Sequence, residues 1–372
     1  MSQKVLMKGN EAIGEAAIRA GVKAYYGYPI TPQTELTAYM GAHMPEKGRI
    51  FIQTESEIAA INAVFGSSAA GFRAMTSSAG TAMSLKQEGI AHMAYMEMPG
   101  LIVDMMRGGP GLGNIIATQG EYNQATKGGG NGDYHVIVLA PNSVQECIDY
   151  TRKALELADK YRNPAMLLAD GTIGQMMEVV EFPEPIEPED LPVPDYALRG
   201  AKGGVCHKVE PRNSADDLEA HNIHLQRKYD ECEANEKMSE SIMTEDCEVL
   251  VVAFGFVSRI AHGVVEELRE DGVKAGLFRP ITLWPFDEEN LREAAKNAKF
   301  IVVLEGNAGM MCRDVRLFLG KDKPVLLNGR MGGNNVHGED VKAKIKQVLA
   351  SGNYDEWREY DGESGVWKTF VY

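Results

Sequence analysis

The feature that most constrains this chain is a recurring pair: a short run apolar on both faces, then a stretch with helical spacing. The runs VKAYYG from Val22, RIFIQ from Arg49, RAMTSS from Arg73, GLIVDMM from Gly100, HVIVLA from His135 and PAMLLAD from Pro164 follow one another in this way. A strand that is apolar on both faces must be covered on both, and helices between parallel neighbours supply the cover. The pattern predicts a doubly wound α/β domain over residues 1–180. Local punctuation agrees: a helix over about 9–20 stops at Gly21, where glycine is favoured after a helix end. Another helix is expected over 55–70, and Ser143 with Glu146 three places on predicts a capping box at the start of a third.

Residues 181–246 break the pattern. EFPEPIEPEDLPVP carries proline at a density that blocks helix and central strand, and a charged stretch then leads to a helix expected around 220–239. The composition reads as an extended connector, either a solvated linker or a segment that wraps a partner subunit. A smaller α/β unit follows over 247–350, with EVLVVAFG, VKAGLF, FIVVLE and PVLLNG as its four strands. Ser258 is the expected cap of its first helix, Asp271-Gly272 a turn, 289–297 a second helix and 340–350 a last one, ahead of an aromatic-rich tail, 351–372.

Composition narrows the function. The 38 Lys+Arg against 53 Asp+Glu give a net charge of -15, which disfavours nucleic acid and anionic membrane as partners and requires a local site for any anionic ligand. The longest apolar run, VLVVAFGFV, is about half of the ~20 residues a spanning helix needs, and no apolar leader opens the sequence. A cytoplasmic location is expected. The five cysteines, Cys147, Cys206, Cys232, Cys247 and Cys312, form no C-x-x-C, and the histidines have no metal spacing, so no iron–sulfur or metal site is expected in this chain.

Open α/β sheets bind ligands at the carboxyl ends of their strands, and three loops there carry chemistry. In Tyr28-Pro29-Ile30-Thr31-Pro32 two prolines bracket a hydroxyl, which either hydrogen-bonds a ligand carbonyl or caps the helix that follows. In Gln53-Thr54-Glu55-Ser56-Glu57, Thr54 and Glu57 have capping-box spacing; alternatively a buried Glu57 exchanges a proton with a heterocycle. In Asp104-Met105-Met106-Arg107-Gly108-Gly109-Pro110-Gly111, an arginine enters a glycine-rich loop, either as a surface residue or as a planar fork for a carboxylate under a closing loop. Pro110 interrupts any dinucleotide fingerprint. Lys127-Gly128-Gly129-Gly130-Asn131-Gly132-Asp133 reads as a mobile loop, and 332–335 as a turn.

Taken in order, YPITP, QTESEIAAINAVFGSSAAG, TSSAGTAMSLKQEG and IVDMMRGGPGLGN resemble the alpha subunit of the 2-oxoacid:ferredoxin oxidoreductases, the 2-oxoisovalerate (3-methyl-2-oxobutanoate) type most of all. LAPNSVQE, ADKYRNPAMLLAD, LQRKYDE and FRPITLWPF extend the resemblance over nearly the whole chain. It implies a pyrimidine-side thiamine diphosphate domain followed by a transketolase-C-terminal-like domain. It places Glu57, rather than Glu55, on the glutamate that meets the aminopyrimidine ring, with Tyr28 and Pro29 beside the cofactor. Thr31 and Arg107 then fall on the residues that contact the 2-oxoacid. The G-D-G motif that holds diphosphate and magnesium is missing, Ala169-Asp170-Gly171 being the nearest fragment. The resemblance therefore implies half an active site. A beta subunit would hold the diphosphate and Mg2+; a ferredoxin-like subunit carrying [4Fe-4S] clusters, in many members a gamma subunit, ferredoxin and coenzyme A would complete the reaction. Alternatives are the same reaction on 2-oxoglutarate, pyruvate or an aryl pyruvate, and a non-catalytic scaffold.

Overall fold

The computed structural model describes residues 4–200, 212–321, 323–354 and 357. The chain begins β1 (Val5–Lys8), α1 (Gly9–Arg19), β2 (Ala24–Gly27), α2 (Thr34–Glu46), β3 (Ile50–Gln53), α3 (Glu57–Ala69), β4 (Ala74–Ser78) and α4 (Thr81–Tyr95). It continues with β5 (Gly100–Met106), α5 (Tyr122–Lys127), β6 (Ile137–Leu139), α6 (Val144–Tyr161), β7 (Pro164–Asp170), α7 (Gly171–Gln175) and β8 (Met177–Val180). Next come α8 (Ala215–Asn235), β9 (Ser239–Ile242), β10 (Val249–Val252), α9 (Gly255–Glu270), β11 (Ala275–Pro280) and β12 (Thr282–Trp284). The last elements are α10 (Glu288–Ala295), β13 (Phe300–Glu305), α11 (Met310–Leu319), β14 (Val325–Gly329) and α12 (Gly338–Ser351).

The six apolar runs of the first half become β2–β7 of a seven-stranded sheet ordered β12-β6-β7-β5-β4-β2-β3. Its strands are parallel except β12. From β2 the chain steps outward to β3, then returns to the other side of β2 for β4 and β5. That reversal opens a crevice at the carboxyl ends of β2 and β4, where doubly wound sheets take their ligands. The second half forms a five-stranded sheet, β14-β13-β10-β11-β9, parallel except for β9.

Short pairing segments escaped the sequence reading because too few residues reveal a period. β1 pairs antiparallel with β8, and β9 adds an edge to the second sheet. β12 leaves the second half altogether and pairs with β6, Trp284 opposite Val138. There the Trp284 ring stacks on His135 with centroids 4.5 Å apart and meets Tyr229 of α8 edge-on. α8 starts at Ala215, earlier than expected, because Ser214 caps it by accepting from Asp217 N. Its buried His221, Leu225, Tyr229 and Cys232 make one stripe against the first domain. The proline-rich stretch is likewise tied to the chain's own surface: Ile186 N donates to Arg19 O, Leu198 N to Ala69 O, and Arg49 pairs with Glu187. Cys206 and residues 358–372 of the tail lie outside the described residues, while Trp357 is buried and donates to Leu327 O at 2.8 Å.

Two helix starts differ from expectation. Ser143 does cap α6, accepting from Glu146 N, but the Glu146 carboxylate accepts from Asn142 N and from the Arg279 guanidinium rather than closing the box on Ser143 N. Ser258 lies inside α9, which begins at Gly255, and its buried hydroxyl donates to Gly255 O. Gly255 has φ +56, a backbone state that glycine adopts without a Cβ penalty, so the turn into α9 comes one helical step before the serine.

Candidate active site

The loop after β2 is held from below by a buried amide. Gln33, fully buried, donates from Nε2 to Tyr28 O at 3.1 Å and accepts at Oε1 from Ser77 Oγ (2.6 Å) and Thr37 Oγ1 (2.8 Å). The Tyr25 hydroxyl lies 2.7 Å from Ser77 Oγ and 2.8 Å from Thr37 Oγ1, and burial pushes its pKa up to about 12. Asn10 Nδ2 donates to Pro32 O, pinning the far end. With both ends fixed, Tyr28, Pro29 and Thr31 are displayed at the surface of the crevice. Thr31 does not cap α2, whose N-cap is Gln33; its carbonyl is committed to Arg107.

The turn after β3 overturns the capping box expected at Thr54 and Glu57. Thr54 Oγ1 donates to Gly27 O and to Ser56 O, and Ser56 is the N-cap, accepting from Ala59 N at 3.3 Å. Glu57 is therefore the first residue of α3 and not its third. Its side chain is only 7% exposed, yet it makes no hydrogen bond or ion pair with any described residue. A buried carboxylate beside free helix N–H groups is ready for a partner that brings its own donor or acceptor. Glu55, two residues earlier, is exposed.

Arg107 follows β5 directly and is buried, not a surface residue. Nη1 donates to Thr31 O at 3.0 Å and Nη2 to Leu112 O at 3.1 Å, so one guanidinium ties the β2 loop to the glycine-rich loop. Nε is buried without a partner. With two of five N–H groups committed, the fork keeps donors for a carboxylate. Gly80, at φ +55, lets it sit there: a Cβ at that position would lie 2.8 Å from Nε. The loop beyond closes on itself through Asn114 N to Gly108 O and Gly108 N to Ile116 O, and reaches the second domain through Asn114 Nδ2 to Gly332 O. It holds Leu112, Ile115 and Ile116 out to solvent. Asp170, the remnant of the missing G-D-G, is spent on structure: its carboxylate accepts from Thr172 N, Ile173 N and Phe256 N.

Thus four consecutive strand ends, β3, β2, β4 and β5, bring Glu57, Thr31, Gly80 and Arg107 around one crevice. Residues 15–243 match the family described as "Pyruvate flavodoxin/ferredoxin oxidoreductase, thiamine diP-bdg", and 247–341 match "Pyruvate:ferredoxin oxidoreductase core domain II". The chain belongs to the 2-oxoacid:ferredoxin oxidoreductase family. It is 47% identical to the ketoisovalerate oxidoreductase subunit VorB of Methanothermobacter marburgensis, over 94% of this chain and 99% of that one. It is 33% identical to the 2-oxoglutarate synthase subunit KorA of Methanothermobacter thermautotrophicus, over 94% of this chain and 100% of that one. Among solved structures, a 2-oxoglutarate:ferredoxin oxidoreductase from Magnetococcus marinus, with 2-oxoglutarate, coenzyme A and succinyl-CoA bound, superposes with TM-score 0.83 at 27% identity. That match covers 94% of this chain and 66% of the other. A split-gene transketolase shares the fold at TM-score 0.58 and 16% identity.

For this member of the 2-oxoacid:ferredoxin oxidoreductases, sequence reasoning passed over three groups beneath the crevice. Lys86 of α4 is fully buried and donates to Thr76 Oγ1 at 2.9 Å. Among the described residues neither oxygen of the buried Asp104 of β5 has a hydrogen-bond partner, and Glu121 accepts from Arg107 N through Oε1 while its Oε2 has none. One signal for Asp104 was present in the sequence, an acid in the middle of the apolar run GLIVDMM. Lys86 lies in a helix whose polar and apolar positions look ordinary, and its burial is a product of tertiary packing.

Proposed function

We propose that this chain is the pyrimidine-side half of a thiamine diphosphate site in an enzyme that converts a 2-oxoacid and coenzyme A to acyl-CoA and CO2 while reducing ferredoxin. The observation that carries this reading is the buried Glu57 carboxyl, without a partner among the described residues, at the same strand-reversal crevice as a buried arginine with donors to spare. These residues fit the cofactor's aminopyrimidine ring and the substrate's carboxylate. Thiamine diphosphate, when bound, supplies an acidic ring carbon and an electron sink for decarboxylation. Glu57 would hold a proton at the ring nitrogen and exchange it as the ring's tautomers interchange. Arg107 would take the 2-oxoacid carboxylate on its free N–H groups, and the exposed Thr31 hydroxyl would orient the 2-oxo group. Tyr28 and Pro29 would flank the ring.

The branched substrate 3-methyl-2-oxobutanoate is favoured by the higher identity to the ketoisovalerate subunit, 47%, than to the 2-oxoglutarate subunit, 33%. A beta subunit would hold the diphosphate through Mg2+, and a ferredoxin-like subunit with [4Fe-4S] clusters would pass electrons to ferredoxin, with a gamma subunit in attendance. Among the described residues no helix is long and apolar enough to cross a membrane, and such an enzyme would work in the cytoplasm. The domains would divide as 1–180, the connector 181–246, 247–350 and the tail 351–372.

The test is anaerobic purification of the tagged chain from its own host, then assay of CoA-dependent viologen reduction with a panel of 2-oxoacids. Activity in the presence of co-eluting subunits, highest on 3-methyl-2-oxobutanoate, is the expected result. A chain that elutes alone, without thiamine diphosphate and inactive on every acid, would support a scaffold role instead.

A further inference from the structure

Ser78 of β4 and Asp104 of β5 are register partners, so their side chains leave the sheet on the same face. Thr76, two residues before Ser78, shares that face, and Lys86 Nζ reaches it from α4. Ser77 points to the other side, toward Tyr25 and Gln33. The α4 face therefore encloses a polar group at the root of the crevice. In it both Asp104 oxygens, Ser78 Oγ, Glu121 Oε2 and Arg107 Nε are buried and have no hydrogen-bond partner among the described residues. The other charged neighbours are one ammonium and one more acid: Glu57 and Asp104 both act electrostatically on Lys86, Glu121 acts on Asp104, and the Arg107 guanidinium acts on Glu121. On the remaining side the register partner of Asp104 is the apolar Leu168.

Charge balance decides what such a group can hold. Three carboxylates facing the Lys86 ammonium and the Arg107 guanidinium would still leave one net negative charge out of water, which costs more than keeping a proton. Two acids within electrostatic reach release their protons as a pair, the first readily and the second late. The directions agree. Burial and the neighbouring Glu121 raise Asp104 well above the usual carboxylate range, burial lifts Glu121 to about 7 despite the Arg107 and Gly80 amides, and burial lowers Lys86 to about 8.

We propose that Asp104 and Glu121 share one proton at neutral pH and, with Lys86, form a buried proton-holding group that sets how readily Glu57 gains and loses its own proton. Asp104, Glu121 and Lys86 are positioning residues in this scheme, acting through Glu57. The proposal rests on reading Glu57 as the residue at the cofactor ring.

The experiment uses the assembled enzyme and reads two quantities, the pH profile of kcat and the pH-difference infrared spectrum of protonated carboxyl groups. In the wild type a carboxyl band titrates near neutral pH. In Asp104→Asn, Glu121 loses its acidic neighbour, so that titration and the matching kcat ionisation move down by about one pH unit. Glu121→Gln keeps an oxygen for the Arg107 amide and preserves the local fold; it shifts both readouts in the same direction. Lys86→Met removes the positive charge and shifts both upward. Opposite shifts are something a merely structural role would not produce. Profiles that superimpose on wild type after scaling, with an unchanged carboxyl titration, would overturn the proposal. Full turnover in Glu57→Gln would sink the reading of Glu57 instead, and the infrared titration would still report on the shared proton.

Discussion

Glu57 and Arg107 are both buried charged side chains, and each is left with unused hydrogen-bonding capacity. That capacity is where substitutions are expected to act. Glu57→Gln keeps the shape and removes the proton exchange, so turnover of the assembled enzyme should fall by ~10²–10⁴-fold while the complex still forms by size-exclusion chromatography. Near-normal turnover would assign Glu57 to the helix start alone. Arg107→Lys replaces a planar fork with a point charge; KM should rise roughly tenfold or more, by a similar factor for every accepted 2-oxoacid. A loss confined to one acid would contradict binding of the carboxylate they share. Gly80→Ala tests the same guanidinium from behind, since the new Cβ meets Nε at 2.8 Å on a φ of +55. The expected outcome is a rise in KM with a stability loss of about 1–3 kcal/mol, measured by urea unfolding.

At the scale of elements, polar contacts cross the domain junction alongside a shared apolar cluster that includes Tyr122 and Phe254. Gln119 donates to Phe254 O and accepts from Gly306 N, Tyr122 donates to Asp314, and Asp170 accepts from Phe256 N across the junction. Burial lifts Asp170 to about 6 even though three backbone amides and the Thr172 side chain pull it down. A carboxyl whose folded pKa is raised contributes stability that is full below the unfolded pKa and lost as pH rises through the folded one. Asp170→Asn keeps Oδ1 for Thr172 N and Ile173 N but turns an N–H toward Phe256 N, at a cost of about 1–3 kcal/mol. It also removes the titration. Wild type should therefore melt above the variant at about pH 4, and the gap should narrow as pH rises to about 7. A gap that widens over that window would show the carboxylate, not the acid, to be the stabilising form.

For the whole molecule, the crevice is lined from one side by this chain's strand ends, while Asp170, in the fragment nearest to G-D-G, is consumed at the domain junction. The isolated chain should bind thiamine diphosphate weakly, and calorimetry should show strong binding when the partner subunits are present. Tight binding by the chain alone would overturn the half-site reading. The connector bears on the same question. Arg49 to Glu187 and Lys23 to Glu189 tie its proline-rich part to the amino ends of the strands, opposite the crevice.

The sequence by itself determined the six parallel strands β2–β7, the helices between them, the strand-end loops and the residue types at positions 31, 57 and 107, because periodicity, prolines and glycines act locally. Tertiary structure decided the rest. Whether Glu57 was a capping residue or a free acid depended on which hydroxyl, Thr54 or Ser56, stood at the helix start. Three-residue β12 is too short to show a period and is fixed by pairing with β6. The burial of Lys86 beside Asp104 joins two elements whose individual patterns look ordinary, since the cost of enclosing a charge is set by everything packed around it and not by its neighbours in sequence.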